Sequence, residues 1–142
     1  MIKFENKYFR KFGFTKNQIK QYLSSAYKDL KIARSASIAE VEFQFAYNSF
    51  IKLGIGLIAC YGYRVKSRSG HHIKILEKAS EILKDRNILI YGNQMRKTRN
   101  TELYDGGSAM ITDKQADEYF KFVEKTFDSS RKIFKEYLST LF

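Results

Sequence analysis

The absence of proline is the feature of this sequence that most restricts its fold. None of the 142 residues is proline, and only eight are glycine. Because proline interrupts helices and glycine weakens them, such a chain favours long, uninterrupted helices. The length suits one domain that buries a substantial hydrophobic core. We therefore predict a single all-α domain over residues 1–142, folded as an up-and-down bundle of four to five helices.

Five segments carry apolar residues at helical spacing and are predicted as helices. The first begins after a Thr15 cap, and the last begins at a capping box formed by Thr112 and Gln115. The second, about residues 38–61, is apolar around nearly its whole circumference. A helix of that kind is typical of the buried centre of a domain, so we expect it to form the core and to take no part in chemistry.

Residues 1–14 form a basic, aromatic N-terminal arm. Phenylalanine and tyrosine rings alternate there with lysine and arginine. We expect the arm to pack against the bundle. The alternative is an exposed surface on which nucleic-acid bases stack on the rings beside the cations.

The net charge of +11 is unevenly distributed along the chain. The excess of cations lies in residues 1–36 and 64–100, whereas residues 101–142 carry slightly more acids than bases. A positive field of this kind attracts polyanions such as RNA. A role in solubility alone is the other interpretation of the charge.

Signals for membranes, metals and cofactors are missing from the sequence. We find neither a secretory signal nor an uninterrupted run of about 18 apolar residues, so we predict a soluble, cytoplasmic protein that binds no membrane. The single cysteine, Cys60, lies in an apolar run and is expected to be a small core residue. We predict no metal site and no cofactor.

The segment with the strongest chemical signal is residues 94–107, where three cations fall within four residues. Arg99 follows Met95 by four residues, so it shares the apolar face of the predicted helix and points towards the bundle. An inward guanidinium requires a partner, either a phosphate or a carboxylate such as Glu42. Asn100 and Tyr104 stack on a neighbouring face, and Gly106-Gly107 can end the helix.

A second basic segment, residues 62–72, precedes the third predicted helix. Arg64, Lys66 and Arg68 lie close in sequence to the expected helix start at Ser69 or Gly70, where free backbone N–H groups suit a phosphate. The only histidines, His71 and His72, occupy the first turn, and adjacent histidines do not readily bind one metal ion. They are either a structural or solvated pair, or one of them supplies an imidazole to the site.

The stretch Arg99-Asn100-Thr101-Glu102-Leu103-Tyr104-Asp105, in a helical chain of this length, resembles the motif of the HEPN (higher eukaryotes and prokaryotes nucleotide-binding) domain family. Residues 46–50, 61–65 and 70–72 support the resemblance, which covers roughly residues 20–135. The motif of active HEPN ribonucleases is an arginine, a polar residue, a short spacer and a histidine. Arg99 and Asn100 match its first two positions, and Tyr104 stands at the histidine position.

The resemblance implies an HEPN-like homodimer whose two motifs face a shared cleft. In active members it implies metal-independent RNA cleavage, in which the histidine moves protons and the arginine binds the scissile phosphate. The candidate catalytic residues are therefore Arg99, Asn100, Tyr104 and His72. The candidate phosphate- or RNA-binding residues are Arg64, Lys66, Arg68, His71 and Arg96.

Three functions remain open at this point. The first is an RNA-binding HEPN protein, including a toxin- or defence-type ribonuclease. The second is a non-catalytic HEPN module that binds a nucleotide or a partner protein, such as the minimal nucleotidyltransferase that the resemblance implies. The third is a purely structural bundle in which Arg99 forms a salt bridge with an acid such as Glu42.

Overall fold

The computed structural model describes the backbone of residues 1–104 and 111–139 and the side chains of residues 1–101 and 111–139. This part of the chain is mostly helical, as the sequence predicts. The elements in chain order are β1 (Phe9–Lys11), α1 (Lys16–Ser35), α2 (Ala39–Cys60), β2 (Tyr63–Val65), α3 (His71–Leu83), α4 (Arg86–Tyr104) and α5 (Asp113–Ser139). The expected glycine stop at Gly106-Gly107 lies outside the described residues.

Local signals at the helix starts act as the sequence predicts. The Thr15 hydroxyl accepts the N–H of Gln18, and the Gln18 amide oxygen accepts the N–H of Thr15 at 2.8 Å. Thr112 and Gln115 form the same reciprocal pair before α5, with bonds of 3.0 and 3.1 Å. Each box satisfies N–H groups that a helix start leaves without partners.

Helix α2 forms the centre of the bundle. Helices α1, α3 and α5 pack on it, and α4 packs mainly on α3. Thirteen of its 22 residues are buried. By length and composition α2 could also cross a membrane, which the sequence analysis did not anticipate, but 67% of its apolar stretch is buried inside the bundle. Cys60, at its end, is partly buried, and burial raises the pKa of its thiol to about 12.

Two glycines allow α3 to lie close to both of its neighbours. A Cβ atom on Gly54 of α2 would be 2.6 Å from Ile75 Cγ2, and a Cβ atom on Gly92 of α4 would be 2.7 Å from Leu76 Cδ2. Both distances are shorter than van der Waals contact. Consecutive residues of α3 therefore contact two different helices at positions where no side chain fits.

The N-terminal arm is not wholly irregular, because β1 pairs with β2 in an antiparallel ribbon with Phe9 opposite Val65. The sequence analysis missed both strands. The packing expected for the arm is confirmed: Phe9 is 1% exposed, and the ring of Phe4 stacks on Tyr63 at a centroid distance of 4.1 Å.

An ion pair joins the arm to α3. Lys78 is 2% exposed, and its Nζ lies 2.9 Å from Glu5 Oε1 and 3.3 Å from Glu81 Oε1. Burial acts to lower the pKa of Lys78, but the hydrogen bond to Glu5 and the charge of Glu81 raise it overall. The arm and the ribbon thus fix α3 from the side opposite α4.

We expect Gly54→Ala to lower the free energy of unfolding by about 1 kcal/mol or more. Overpacking against the stiff, β-branched Ile75 costs about 1–3 kcal/mol, whereas better helix propensity returns at most about 1 kcal/mol. Urea denaturation followed by circular dichroism measures the change. Gly13→Ala is the matched control, because nothing lies within 4 Å of its Cβ position. A Gly54→Ala protein as stable as that control would contradict the close contact.

Candidate functional site

The first turn of α3 and the C-terminal half of α4 border a cleft of about 360 Å³. Six residues that the sequence analysis selected line it, together with Ser69 and Gly70. These six are Arg68, His71, His72, Arg96, Arg99 and Asn100. Residues that are some 30 positions apart in the chain therefore meet at one place.

One wall of the cleft is the start of α3. Gly70 is the N-cap residue, with φ of 79°, and no side chain caps the helix. That left-handed conformation favours glycine over residues with a Cβ atom. The first-turn N–H groups and the positive end of the helix dipole face the same space as the arginines, which favours an anion.

Arg99 points inward, as the spacing from Met95 predicts. Its Nε atom is buried, and among the described residues it has no hydrogen-bond partner. The guanidinium lies over the ring of Tyr47, 5.6 Å from the centroid. No ion pair joins it to Glu42 in the described part of the chain, which removes the support for the purely structural alternative. A buried donor without a partner costs stability unless a ligand supplies the acceptor.

Arg96 contributes a second guanidinium to the cleft. Its Nε and Nη2 atoms donate to Asn93 Oδ1 at 3.1 and 3.0 Å. Because that amide is neutral, it orients the guanidinium and leaves its charge uncompensated. Within residues 1–101 and 111–139, no carboxylate forms an ion pair with Arg68, Arg96 or Arg99, so the cleft carries a strongly positive potential.

His72 contacts a residue of the core. Its Nδ1 atom lies 2.9 Å from the hydroxyl of Tyr47, which is fully buried. Burial, followed by the neighbouring His71, Arg99 and Arg96, lowers the pKa of His72 to about 4. Burial raises the pKa of Tyr47 to about 12, although Arg99 and Arg96 act against it. At neutral pH the pair is therefore an uncharged imidazole bonded to a phenol, with His72 Nε2 left for a ligand.

His71 has a different contact. Its Nδ1 lies 2.8 Å from the carbonyl oxygen of Arg68, and its ring packs edge-on against His72 at 4.6 Å. Since a carbonyl only accepts, Nδ1 of His71 carries the proton. His71 therefore helps to hold the loop that carries Arg68.

Three selected residues are not seen in the cleft. Arg64 and Lys66 line a separate depression on the β ribbon, and Nζ of Lys66 donates to the carbonyl oxygen of Asn6. The side chain of Tyr104, at the histidine position of the motif, lies outside the described residues. Its contribution to the site stays a prediction.

Tyr47 is the residue that the sequence analysis missed. We expected α2 to form the core without a role in chemistry, and that expectation needs correction, because Tyr47 contacts both His72 and Arg99. Helical periodicity marks it as buried and does not distinguish it from its phenylalanine neighbours. The available signal was its hydroxyl, since a buried tyrosine O–H needs a hydrogen-bond partner.

Among the described residues, no three His, Cys, Asp or Glu side chains are grouped so as to hold a metal ion. Comparison of the chain with models of protein families, with curated proteins and with solved structures gave no match in any of the three. The proposed function therefore rests on the cleft and its side chains.

We expect His72 to titrate near pH 4 in the free protein and to move towards its ordinary pKa of about 6.5 when a phosphate binds, because an anion stabilises the imidazolium. Nuclear magnetic resonance of the ring protons measures this with and without a 2′-O-methyl RNA dinucleotide. His72→Asn identifies the signal. Binding should therefore strengthen as the pH falls from 7 towards 5.

The same shift makes folding depend on pH. Because the pKa of His72 is lower in the folded than in the unfolded chain, its contribution to stability is lost as the pH falls from about 6.5 through about 4. A free-protein pKa near 6.5, or no response to the dinucleotide, would contradict the site as described.

Proposed function

We propose that this chain is an RNA-binding protein of the HEPN type that cleaves RNA without a metal ion in the cleft between α3 and α4. The up-and-down arrangement of HEPN domains is part of the proposal. The observation that carries it is the convergence of two groups from different helices. The unpartnered, buried Nε of Arg99 and the neutral imidazole of His72 lie at the same cleft.

A phosphate fits the charges of this cleft. Arg68, Arg96 and Arg99 offer planar guanidinium groups that bind phosphate oxygens through paired N–H donors. Asn100 adds an amide that positions the ligand, and the start of α3 adds backbone N–H groups. The excess of cations elsewhere in the chain speeds the approach of a polyanion. RNA supplies both the bound phosphate and the further negative charge.

The proposed reaction uses the ribose 2′-hydroxyl as nucleophile. His72 Nε2 takes the 2′-hydroxyl proton while its oxygen attacks phosphorus, and the bond from phosphorus to the 5′ oxygen of the next nucleotide breaks. The products are a 2′,3′-cyclic phosphate and a 5′-hydroxyl, whose proton comes from the imidazolium or from water. Arg99 stabilises the charge that develops on the phosphate oxygens.

In this scheme His72 replaces the imidazole that the motif lacks at position 104. An imidazole suits proton transfer near neutral pH, whereas a tyrosine begins near pKa 10. A bound phosphate brings the pKa of His72 back towards neutrality. Tyr47, bonded to the other ring nitrogen, holds the imidazole in place. Tyr104 stays a second candidate for proton transfer. Such an activity suits a toxin or defence protein.

A second function is favoured by one observation. His72 is bonded to a buried hydroxyl, and its pKa is lowered to about 4, as in a structural imidazole. A non-catalytic HEPN module that binds a nucleotide or a partner protein, such as a minimal nucleotidyltransferase, would retain the arginine cleft and not the chemistry.

A homodimer is part of the proposal. Ile90 and Tyr91 on α4 are 51% and 41% exposed, which is unusual for large apolar side chains. Helix α4 also carries Arg96 and Arg99, so an interface through its exposed face would bring two clefts near each other.

We expect the purified protein to cleave mixed RNA in EDTA. Arg99→Ala should lower the rate at least about 100-fold through lost charge stabilisation, and His72→Ala should lower it about 100-fold or more through lost proton transfer. Gel electrophoresis of labelled RNA measures the rates. Arg86→Ala, an exposed arginine at the start of the same helix, is the matched control and should retain full activity.

Thermal unfolding checks that each variant is folded. Cleavage that persists in Arg99→Ala would indicate a contaminating nuclease and reject the catalytic proposal. Binding without cleavage in the unaltered protein would select the non-catalytic module instead.

We expect Ile90→Glu to raise the dimer dissociation constant at least about tenfold, because a carboxylate loses its water in an interface. Sedimentation at several protein concentrations measures the dimer. Val41→Glu, which alters an apolar residue of α2 that is 37% exposed, is the control. Equal sedimentation of the two variants would exclude this face of α4.

A further inference from the structure

The outer face of the β ribbon carries two arginines opposite each other. Arg10 of β1 pairs in register with Arg64 of β2, and both are exposed. Bonds from the N–H of Phe12 to the Gly62 oxygen and from the N–H of Lys66 to the Tyr8 oxygen extend the pairing on either side. The two guanidinium groups are therefore held side by side by the backbone.

This pairing is unfavourable for folding alone. Like charges directly opposite each other in an antiparallel pair repel. In the described part of the chain no carboxylate forms an ion pair with either arginine. Arg64 lies instead over the partly buried ring of Phe12, with Cζ 5.5 Å from the centroid. An anionic ligand would relieve the repulsion.

The arginines border a depression of about 260 Å³, which Val65, Lys66 and Ser67 complete. The next residue in the chain, Arg68, lines the cleft between α3 and α4. The two sites are thus joined by a short loop of the same positive sign. A mononucleotide fills one of them, whereas a strand can occupy both.

We propose that the ribbon is a second phosphate subsite, which binds single-stranded RNA that extends from the cleft. A phosphate lies between Arg10 and Arg64, and an unpaired base stacks on the plane formed by Arg64 and Phe12. Stacking on rings and guanidinium planes beside a cationic track is the usual way in which proteins bind unpaired strands. This inference rests on the proposed function for the identity of the ligand, and it adds the path of the strand.

The test compares two probes of 2′-O-methyl RNA, which cannot be cleaved through the 2′-hydroxyl. One is a dinucleotide and the other a strand of about 12 nucleotides, within the range of known single-strand sites. Fluorescence anisotropy at several salt concentrations gives the affinity. The double variant Arg10→Gln/Arg64→Gln should bind the long strand at least about tenfold more weakly, with a salt slope lower by about 1.4 for two lost phosphate contacts.

The dinucleotide should bind this variant as it binds the unaltered protein. Lys28→Gln/Lys31→Gln, which removes two exposed cations from α1, is the matched control for net charge. Equal losses in both double variants, or an unchanged affinity for the long strand, would overturn the subsite. A duplex that binds as tightly and depends equally on the two arginines would overturn the single-strand assignment.

Failure of the cleft proposal would look different. In that case Arg99→Ala would leave dinucleotide binding unchanged, while long-strand binding could still depend on Arg10 and Arg64. The two conclusions are therefore tested by separate probes.

Discussion

The close packing of α3 between α2 and α4 is the constraint on which the cleft depends. Ile75 fits against Gly54, and Leu76 fits against Gly92, so α3 is held between its neighbours at distances that exclude a side chain on either glycine. The position of the first turn of α3 follows from this packing, and with it the position of His72 relative to Arg99. The ion pair of Lys78 with Glu5 and the β ribbon support α3 on its other side.

The second essential contact is the one that Tyr47 makes from the core. Its hydroxyl bonds to His72, and its ring lies beneath Arg99, so one rigid side chain orients two groups of the cleft. Burial keeps both Tyr47 and His72 uncharged at neutral pH, since each charged form would lose water without an opposite charge nearby. The positive potential of the cleft therefore comes from the arginines alone. An incoming phosphate meets cations whose charge no carboxylate of the described residues compensates.

The sequence predicted the parts of this structure that depend on local signals. The caps at Thr15 and Thr112, the extent of α2 and the inward direction of Arg99 all follow from spacings of three or four residues. The β ribbon was missed because each strand has three residues and pairs with a segment more than 50 positions away. Tyr47 was missed because periodicity reports burial and not hydrogen bonding. The relation to HEPN domains stays a prediction, and the side chain of Tyr104 lies outside the described residues.

The position of His72 follows from what the chemistry requires. Proton transfer to or from a phosphodiester needs an imidazole within reach of the phosphate, and it does not matter which helix supplies it. Arg99 determines where the phosphate binds, and the first turn of α3 borders the same cleft, so a histidine there meets the requirement that position 104 meets in active HEPN motifs. The buried, unpartnered Nε of Arg99 and the repelling pair Arg10 and Arg64 both reduce stability. Proteins retain such costs where a ligand offsets them, and here both sites favour the same kind of anion.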